Sequence, residues 1–244
     1  MAGPKKKVCL LTGASGRLGS AFCRAFGRRY HVAAVYRSNP PCPCQDRWLV
    51  DPLAPRAAVP ENAGAVFAVQ ADLAEDGDLD RVVEVVLARF GRIDVLVNAA
   101  AYSFWSPVLE TEDFADHLNW HFHVNVTVPA KLAALVAHRF WRHREGENRH
   151  WNRNLINVSS TAGLHAYPGL GQAAYGASKA ALNHLTRHLA DEFGPLGVRV
   201  NALAPNSFPA IVSTENAAQG IARLAEGSMN GKILVLDRDG EQLL

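Results

Sequence analysis

Short apolar runs alternate with segments of helical spacing along almost the whole chain, and this alternation constrains the fold more than any other feature. The runs are rich in β-branched residues and apolar on both faces, which is typical of strands covered by helices on each side. Strands joined through helices form a parallel sheet with right-handed crossovers. The sequence therefore predicts a single-domain, doubly wound α/β fold with a seven-stranded parallel sheet and helices on both faces. The predicted strands are 8–12, 32–36, 65–71, 94–99, 154–159, 198–204 and 232–237.

Composition limits the classes of partner. The chain has 244 residues, is 48% hydrophobic, and carries a formal net charge of +2. This length and hydrophobic content suit one domain over residues 1–244. The small net charge creates no overall electrostatic field that would favour binding to nucleic acid or to a membrane surface. No apolar stretch is long enough to cross a bilayer and no signal-peptide pattern is present, so we expect a cytoplasmic protein that acts on a small molecule. Cysteines at 9, 23, 42 and 44 do not suggest a disulfide framework.

Two segments depart from the alternating pattern, and we predict loops or irregular insertions for both. The first is proline-rich and extends from Asn39 to Pro60; it contains Cys42 and Cys44, which lack a second pair of metal ligands nearby, so we expect no metal. The second extends from His138 to Arg153 and is basic and aromatic. Such a mixture can bind nucleic acid, but two glutamates interrupt it and an ordinary exposed loop is favoured.

A glycine-rich turn joins the first predicted strand to the first helix. The turn reads Thr-Gly-Ala-Ser-Gly-Arg-Leu-Gly over 12–19. Residues without Cβ let the backbone bend and approach a pyrophosphate, and the helix directs its N–H groups at the phosphate charge. The turn therefore predicts a dinucleotide site that includes Gly13, Ser15, Gly16, Arg17, Leu18 and Gly19.

The end of the second strand decides which dinucleotide is expected. An acidic residue there would accept from the ribose hydroxyls, whereas Arg37, followed by Ser38, offers donors for a 2′-phosphate. We therefore expect NADP(H) rather than NAD(H), the alternative being that Arg37 is only a solvated charge. Asp72 could accept from the adenine amino group or cap the next helix. The other expected cofactor residues are Leu73, Asn98, Ala99, Ala100, Lys179 and Pro205.

Tyr175 and Lys179 lie four residues apart at the start of a long helical segment and so share one face. A phenol is a poor acid at neutral pH, and a nearby ammonium in a partly dry cleft would lower its pKa. Ser160, at the end of the fifth strand, could hydrogen-bond a substrate oxygen, with Ser159 as the competing serine. Asn125 lies within a predicted helix, where asparagine is unfavourable, and so suggests a polar role.

These motifs together resemble the short-chain dehydrogenase/reductase family, which has a Rossmann fold, over nearly the whole chain. The resemblance implies that Asn125, Ser160, Tyr175 and Lys179 form the catalytic tetrad, with Tyr175 as proton donor and Asn125 supporting a water relay. It also implies a homodimer or homotetramer. The turn, Arg37 and the run around Asp72 are similar to the NADPH-dependent pteridine reductases, so the expected activity is reduction of a carbonyl, imine or pteridine.

Two departures from the family pattern affect function. The chain reads Pro-Asn-Ser at 205–207 and soon reaches its last strand, so the resemblance implies a shortened substrate lid. The run Asn-Ala-Ala-Ala at 98–101 replaces the family's usual Asn-Asn-Ala-Gly. These departures motivate an alternative function as a non-catalytic dinucleotide-binding sensor or scaffold. Tyr102, Phe104 and Trp105 are candidates for substrate contact, although they could equally pack under a loop.

Overall fold

A computed structural model describes residues 6–41 and 66–244. Within these residues eight strands form one sheet. The strands are β1 Lys7–Leu11, β2 Tyr30–Tyr36, β3 Phe67–Gln70, β4 Val95–Asn98, β5 Asn154–Val158, β6 Arg199–Pro205, β7 Ile233–Asp237 and β8 Gly240–Leu243. The helices are α1 Arg17–Phe26, α2 Asp76–Phe90, α3 Phe114–Phe122, α4 Val128–Val136, α5 Glu145–His150, α6 Ala173–Phe193 and α7 Thr214–Glu226.

The strand order is β3-β2-β1-β4-β5-β6-β7-β8, and the pairs from β3 to β7 are all parallel. This confirms the doubly wound α/β fold. The order reverses between β1 and β4, and such a switch point opens a crevice at the carboxyl edge of the sheet.

The predicted count of seven strands is one too low in the described part of the chain. The eighth strand, β8, pairs antiparallel with β7 and forms one edge of the sheet. All four of its residues are exposed and three of them are polar or glycine, so it lacks the apolar pattern that predicts the other seven strands.

Helices cover both faces of the sheet, as predicted. On one face α1 packs against α7, and their apolar side chains join those of β1 and β4 in one core cluster. On the other face α2, α4 and α6 contribute to a second cluster with β2, β3 and β5. The two clusters fix the sheet between its helices, so that the carboxyl ends of the strands are held in a constant arrangement.

The prediction of a loop from His138 to Arg153 is wrong. The segment contains part of a π-helical turn, Ala137–Trp141, followed by α5. Trp141 is fully buried and its indole N–H donates to the carbonyl of Ile93 at 2.8 Å. Arg153 is buried as well, and its Nε donates to Asp94 Oδ1 at 3.1 Å. Some of the aromatic and basic residues that suggested an exposed loop are therefore buried in the core.

The other predicted loop extends from Asn39 to Pro60, and all but its first three residues lie outside the described ranges. Cys42 and Cys44 fall there too. Among the residues that the structure describes, no group of three or more His, Cys, Asp or Glu side chains is arranged to hold a metal ion. The described helices include none that is both long and apolar enough to span a membrane.

Candidate active site

The glycine turn after β1 has the backbone geometry that its sequence predicts. Gly13 has φ +66°, and a Cβ placed on it would lie 2.7 Å from the amide nitrogen of Ala100. The Thr12 hydroxyl accepts from the amides of Ala99 and Ala100 at 3.0 and 3.1 Å. The turn therefore packs directly against the end of β4, across the point where the strand order reverses.

Helix α1 begins immediately after this turn and presents its N-terminus to the same crevice. Its N-cap, Gly16, provides no side-chain hydrogen bond to the helix. A Cβ on Gly19 would lie 2.4 Å from the carbonyl oxygen of Gly13, whereas one on Gly16 would meet only that oxygen, at 3.2 Å. Gly19 thus allows the helix to lie against the turn, and the space around Gly16 remains open to an anion.

A cleft of about 840 Å³ follows the carboxyl edge of the sheet from the ends of β2 and β3 to the start of α6. This volume lies within the range of ligand pockets. All six predicted residues of the glycine turn line it, and Lys179 lines it at the other end. An open helix N-terminus, a turn with three glycines and a long cleft together fit a dinucleotide.

The end of the cleft near β2 is basic. Arg37 and Arg17 both line it and are exposed, and within the described ranges neither forms an ion pair with a carboxylate. Asp72 and Leu73 line the cleft too. Asp72 Oδ1 accepts from the amide of Ala74 at 3.1 Å, while Glu75 is the residue at the N-cap of α2, so Asp72 is not the cap of that helix.

Three of the predicted cofactor residues, Ser38, Asn98 and Pro205, are not among the residues that line the cleft. The Asn98 side chain is buried and donates to Asn157 Oδ1 at 2.9 Å, so it links β4 to β5. Ala99 and Ala100 do line the cleft. The structure thus separates the buried asparagine from the two alanines that follow it.

Tyr175 and Lys179 lie on one face of α6 and both line the cleft. Lys179 is buried, its ammonium donates to the carbonyl of Val158 at 2.8 Å, and Nζ lies 5.7 Å from the centroid of the Tyr175 ring. Burial lowers the pKa of Lys179 to about 8. The lysine is therefore largely charged at neutral pH and has two further N–H donors for a ligand.

The pKa of Tyr175 is shifted in the direction opposite to the one that the sequence spacing predicts. That spacing suggests that Lys179 lowers the tyrosine pKa. In the structure burial raises the pKa of Tyr175, and a hydrogen bond with Ser160 lowers it in part. Desolvation disfavours the phenolate. Without a ligand the phenol consequently keeps its proton.

Ser159 and Ser160 have different surroundings. The buried Ser159 lines the cleft, but its hydroxyl donates to the carbonyl of Lys179 at 3.2 Å. Ser160 is partly exposed, accepts from the amide of Ala162 at 3.2 Å, and lowers the pKa of Tyr175, but it is not among the residues that line the cleft. Ser160 is thus the serine that influences the tyrosine, and Ser159 is the serine that lines the cleft.

Asn125 lies in a π-helical turn, His123–Thr127, between α3 and α4. Its Oδ1 accepts from the amide of Tyr102 at 2.8 Å, and its Nδ2 donates to the carbonyl of Tyr102 and to Ser178 Oγ, both at 3.0 Å. π-helical turns inside α-helices are frequent at functional sites. Both polar atoms of the Asn125 side chain are thus hydrogen-bonded, so it positions the segment after β4 against α6.

Sequence reasoning missed one face of α3 and one aromatic residue after β6. Asp113, Asp116, His117 and Trp120 line the cleft. Their spacing is that of one helix face, which is the signal that could have identified them. Phe208, in the short segment between β6 and α7, lines the cleft too.

Comparisons with known proteins agree with this geometry. The family model for short chain dehydrogenases matches residues 7–221. The chain is 31% identical over 225 residues to a 3beta-hydroxysteroid dehydrogenase from Eggerthella lenta. The aligned residues make up 91% of this chain and 78% of that protein. It is also 31% identical over 212 residues to a 3-oxoacyl-(acyl-carrier-protein) reductase from Synechocystis, covering 86% of this chain and 77% of that protein.

Solved structures give the same result. An oxidoreductase of the short chain dehydrogenase/reductase family from Brucella ovis, in complex with a partially ordered NAD, has a TM-score of 0.70 and 28% identity, with 95% of this chain and 99% of that one covered. A short-chain dehydrogenase from Streptomyces avermitilis has a TM-score of 0.75 and 27% identity, and the comparison covers 97% of this chain and 90% of that one.

The fold and cleft define a dinucleotide-binding oxidoreductase. The chain belongs to the short-chain dehydrogenase/reductase family, whose members are NAD(P)-dependent enzymes.

Proposed function

We propose that this protein is an NADPH-preferring reductase that acts on a carbonyl, or on the related imine or pteridine C=N bond, with Tyr175 as the proton donor. One observation carries the proposal: Tyr175 and Lys179 line the same cleft as the glycine turn and as Arg17 and Arg37. A ligand that fills the cleft would thus contact the phosphate-binding turn and the tyrosine at the same time.

The preference for NADPH rests on the charge at the β2 end. A 2′-phosphate placed there would meet the guanidinium groups of Arg37 and Arg17, which are planar donors suited to phosphate. The end of β2 has no carboxylate, the side chain that would accept from a ribose hydroxyl and repel a phosphate: the chain continues Arg37, Ser38, Asn39.

Proton transfer is assigned to three side chains. The phenol of Tyr175 keeps its proton because burial raises its pKa, which is the state that a proton donor requires. Ser160, which lowers the pKa of Tyr175, would orient the substrate oxygen toward the phenol. Lys179 provides a charge near the tyrosine ring, and this charge stabilises the phenolate that remains after the proton has left.

The bound nicotinamide would supply the hydride. The Lys179 ammonium, with two donors left after its bond to Val158, can hold the hydroxyls of the adjoining ribose. Asn125 contributes through position: it holds the Tyr102 backbone, and Tyr102 lines the cleft. A water relay through Asn125 remains a prediction, as does the homodimer or homotetramer.

Titration of the protein with NADPH and with NADH, followed by turnover of a panel of ketones, imines and pteridines, tests this proposal. We expect tighter binding of NADPH, and turnover that Tyr175→Phe abolishes while cofactor binding is retained. Binding without turnover of any compound would contradict the reductase and favour the alternative function as a dinucleotide-binding sensor.

The cofactor preference has its own test. A hydrogen bond to a charged group contributes about 1.5–3 kcal/mol, so Arg37→Asp should reduce the ratio of NADPH to NADH affinity by about 10- to 100-fold. Arg28→Asp is the matched control, because Arg28 is exposed on the chain before β2 and does not line the cleft. An unchanged ratio in Arg37→Asp would refute the assignment.

A further inference from the structure

One face of α3 forms a wall of the cleft that the proposed proton transfer does not use. Asp113, Asp116, His117 and Trp120 all line the cleft that contains Tyr175. His121, on the buried side of the same helix, packs its ring 6.1 Å from that of Tyr175. This wall is therefore adjacent to the proton donor, and its chemistry bears on which substrate is accepted.

His117 is held in this wall by two aromatic residues. Its Nδ1 lies 2.7 Å from the hydroxyl of Tyr102, whose backbone is fixed at both its amide and its carbonyl by Asn125. The ring of Phe104 is stacked on the imidazole with centroids 3.9 Å apart and an angle of 13°. The imidazole is consequently fixed both in its plane and at one of its two nitrogens.

The bond to Tyr102 also determines what the other nitrogen can do. A phenol is a stronger acid than a neutral imidazole N–H, and an imidazole nitrogen is a better acceptor than a phenol oxygen, so for the neutral ring we assign the hydroxyl of Tyr102 as the donor to Nδ1. The ring proton is then on Nε2. Within the described residues Nε2 of His117 has no hydrogen-bond partner, and it is not among the buried unpartnered atoms. His117, which lines the cleft, therefore has one N–H donor left for a ligand.

Aromatic rings lie near His117 and near Tyr175, although Phe104 and Trp105 are not themselves among the residues that line the cleft. Phe104, Trp105 and Trp120 are 40, 47 and 49% exposed, although large aromatic side chains are usually better buried. The ring of Trp105 lies 6.0 Å from that of Tyr175. Exposed aromatic rings grouped beside a proton donor favour a ligand with a flat ring system, which would cover them.

Apart from Lys179, which is bonded to Val158, the charged side chains that line this half of the cleft are acidic. Asp113 and Asp116 form no ion pair with any described residue, whereas Arg17 and Arg37 line the other end. Like charges repel, more strongly in a cleft than in bulk water. An anionic group on the substrate would thus be disfavoured here, while the phosphates of the cofactor are favoured at the other end.

We infer that the substrate is an uncharged carbonyl compound built on a flat apolar ring system, with an acceptor oxygen remote from the reacting carbonyl that binds Nε2–H of His117. This inference rests on the proposed carbonyl reduction and goes beyond it by assigning the substrate class and His117 as a specificity-determining residue. Tyr102 and Asn125 are positioning residues for His117.

Four compounds test the inference: β-tetralone and its ethyl, methoxy and carboxylate derivatives, substituted on the ring away from the ketone. Ethyl and methoxy have nearly the same shape, but only methoxy has an acceptor. We expect wild-type kcat/KM to be about tenfold higher for the methoxy than for the ethyl compound, the effect of one hydrogen bond of about 1–1.5 kcal/mol. We expect the carboxylate to be the poorest substrate.

Three variants separate recognition from structural damage. His117→Phe keeps the aromatic stack on Phe104 but removes the donor, so it should lower kcat/KM for the methoxy compound only and make it equal to the ethyl compound. Tyr102→Phe should lower the methoxy preference in part. Asp113→Asn combined with Asp116→Asn should raise turnover of the carboxylate several-fold, an increase that fades at high salt.

The matched control for the acidic pair is Asp191→Asn combined with Glu192→Gln, on the exposed side of α6 and outside the cleft. It should leave all four kcat/KM values unchanged. If wild type reduces the tetralones but does not distinguish methoxy from ethyl, or if His117→Phe lowers both equally, the inference is overturned and the proposed reductase stands. If no compound with a C=O or C=N bond is reduced, the proposed function itself fails.

Discussion

Substitution of Gly19 by alanine is the perturbation that most sharply tests the proposed phosphate-binding turn. The new Cβ would lie 2.4 Å from the carbonyl oxygen of Gly13 and 2.6 Å from Cα of Ala14, both backbone atoms, where ordinary contact begins near 3.4 Å. Alanine improves helix propensity by about 1 kcal/mol, but overpacking against atoms that cannot rotate away costs about 1–3 kcal/mol or more. The clash outweighs the gain, so we expect a net loss of stability.

The larger effect should be on cofactor binding. Relief of the clash requires the turn and the start of α1 to separate by about 1 Å, and the loss of one hydrogen bond to a phosphate, about 1.5–3 kcal/mol, would weaken NADPH binding by about 10- to 100-fold. The assays are urea unfolding and titration with NADPH followed by fluorescence.

Gly77→Ala is the control for these measurements. Gly77 lies in the first turn of α2, and a Cβ added there would meet no atom within 4 Å, so this substitution should raise stability by about 0.5 kcal/mol and leave NADPH affinity unchanged. If Gly19→Ala bound NADPH as wild type does, the turn would not be the element that holds the phosphates.

Two further predictions concern buried charge. Because burial lowers the pKa of Lys179 from 10.5 to about 8, the folded protein releases this proton before the unfolded chain does, and the contribution of Lys179 to stability should rise between pH 8 and 10.5. Lys179→Met should lack that rise and be about 3 kcal/mol more stable at neutral pH, although inactive; an unaltered pH profile of urea unfolding would contradict this. Asp94→Ala removes the buried carboxylate that pairs with Arg153, whose remaining ion pair is with the exposed Glu147 at 3.5 Å, and should cost about 3–5 kcal/mol. Asp76→Ala at an exposed pair should cost less than about 1 kcal/mol, and equal losses would refute the distinction.

The parts of the fold that follow from buried strands could be predicted from sequence, and those that depend on tertiary contacts could not. All strands from β1 to β7 are runs that are largely buried, so their pattern is local. The edge strand β8 is fully exposed and owes its conformation to pairing with β7. The helical segment after α4 is fixed by Trp141 and Arg153, whose partners Ile93 and Asp94 are distant in the chain.

The same distinction applies to the candidate site. The glycine turn and the pair Tyr175 and Lys179 are local motifs, so their common location at one cleft could be anticipated. The rise in the pKa of Tyr175 could not, because it depends on burial by other elements. Nor could the contact of Tyr102 with His117, which joins the segment after β4 to α3 through a single hydrogen bond.

The most direct test of the proposed reductase is a crystal structure of the protein with NADPH bound. We predict the nicotinamide ring beside the hydroxyl of Tyr175, the adjoining ribose at Lys179, the pyrophosphate at the glycine turn and the 2′-phosphate at Arg37. A cofactor bound elsewhere, or a nicotinamide ring turned away from Tyr175, would contradict it.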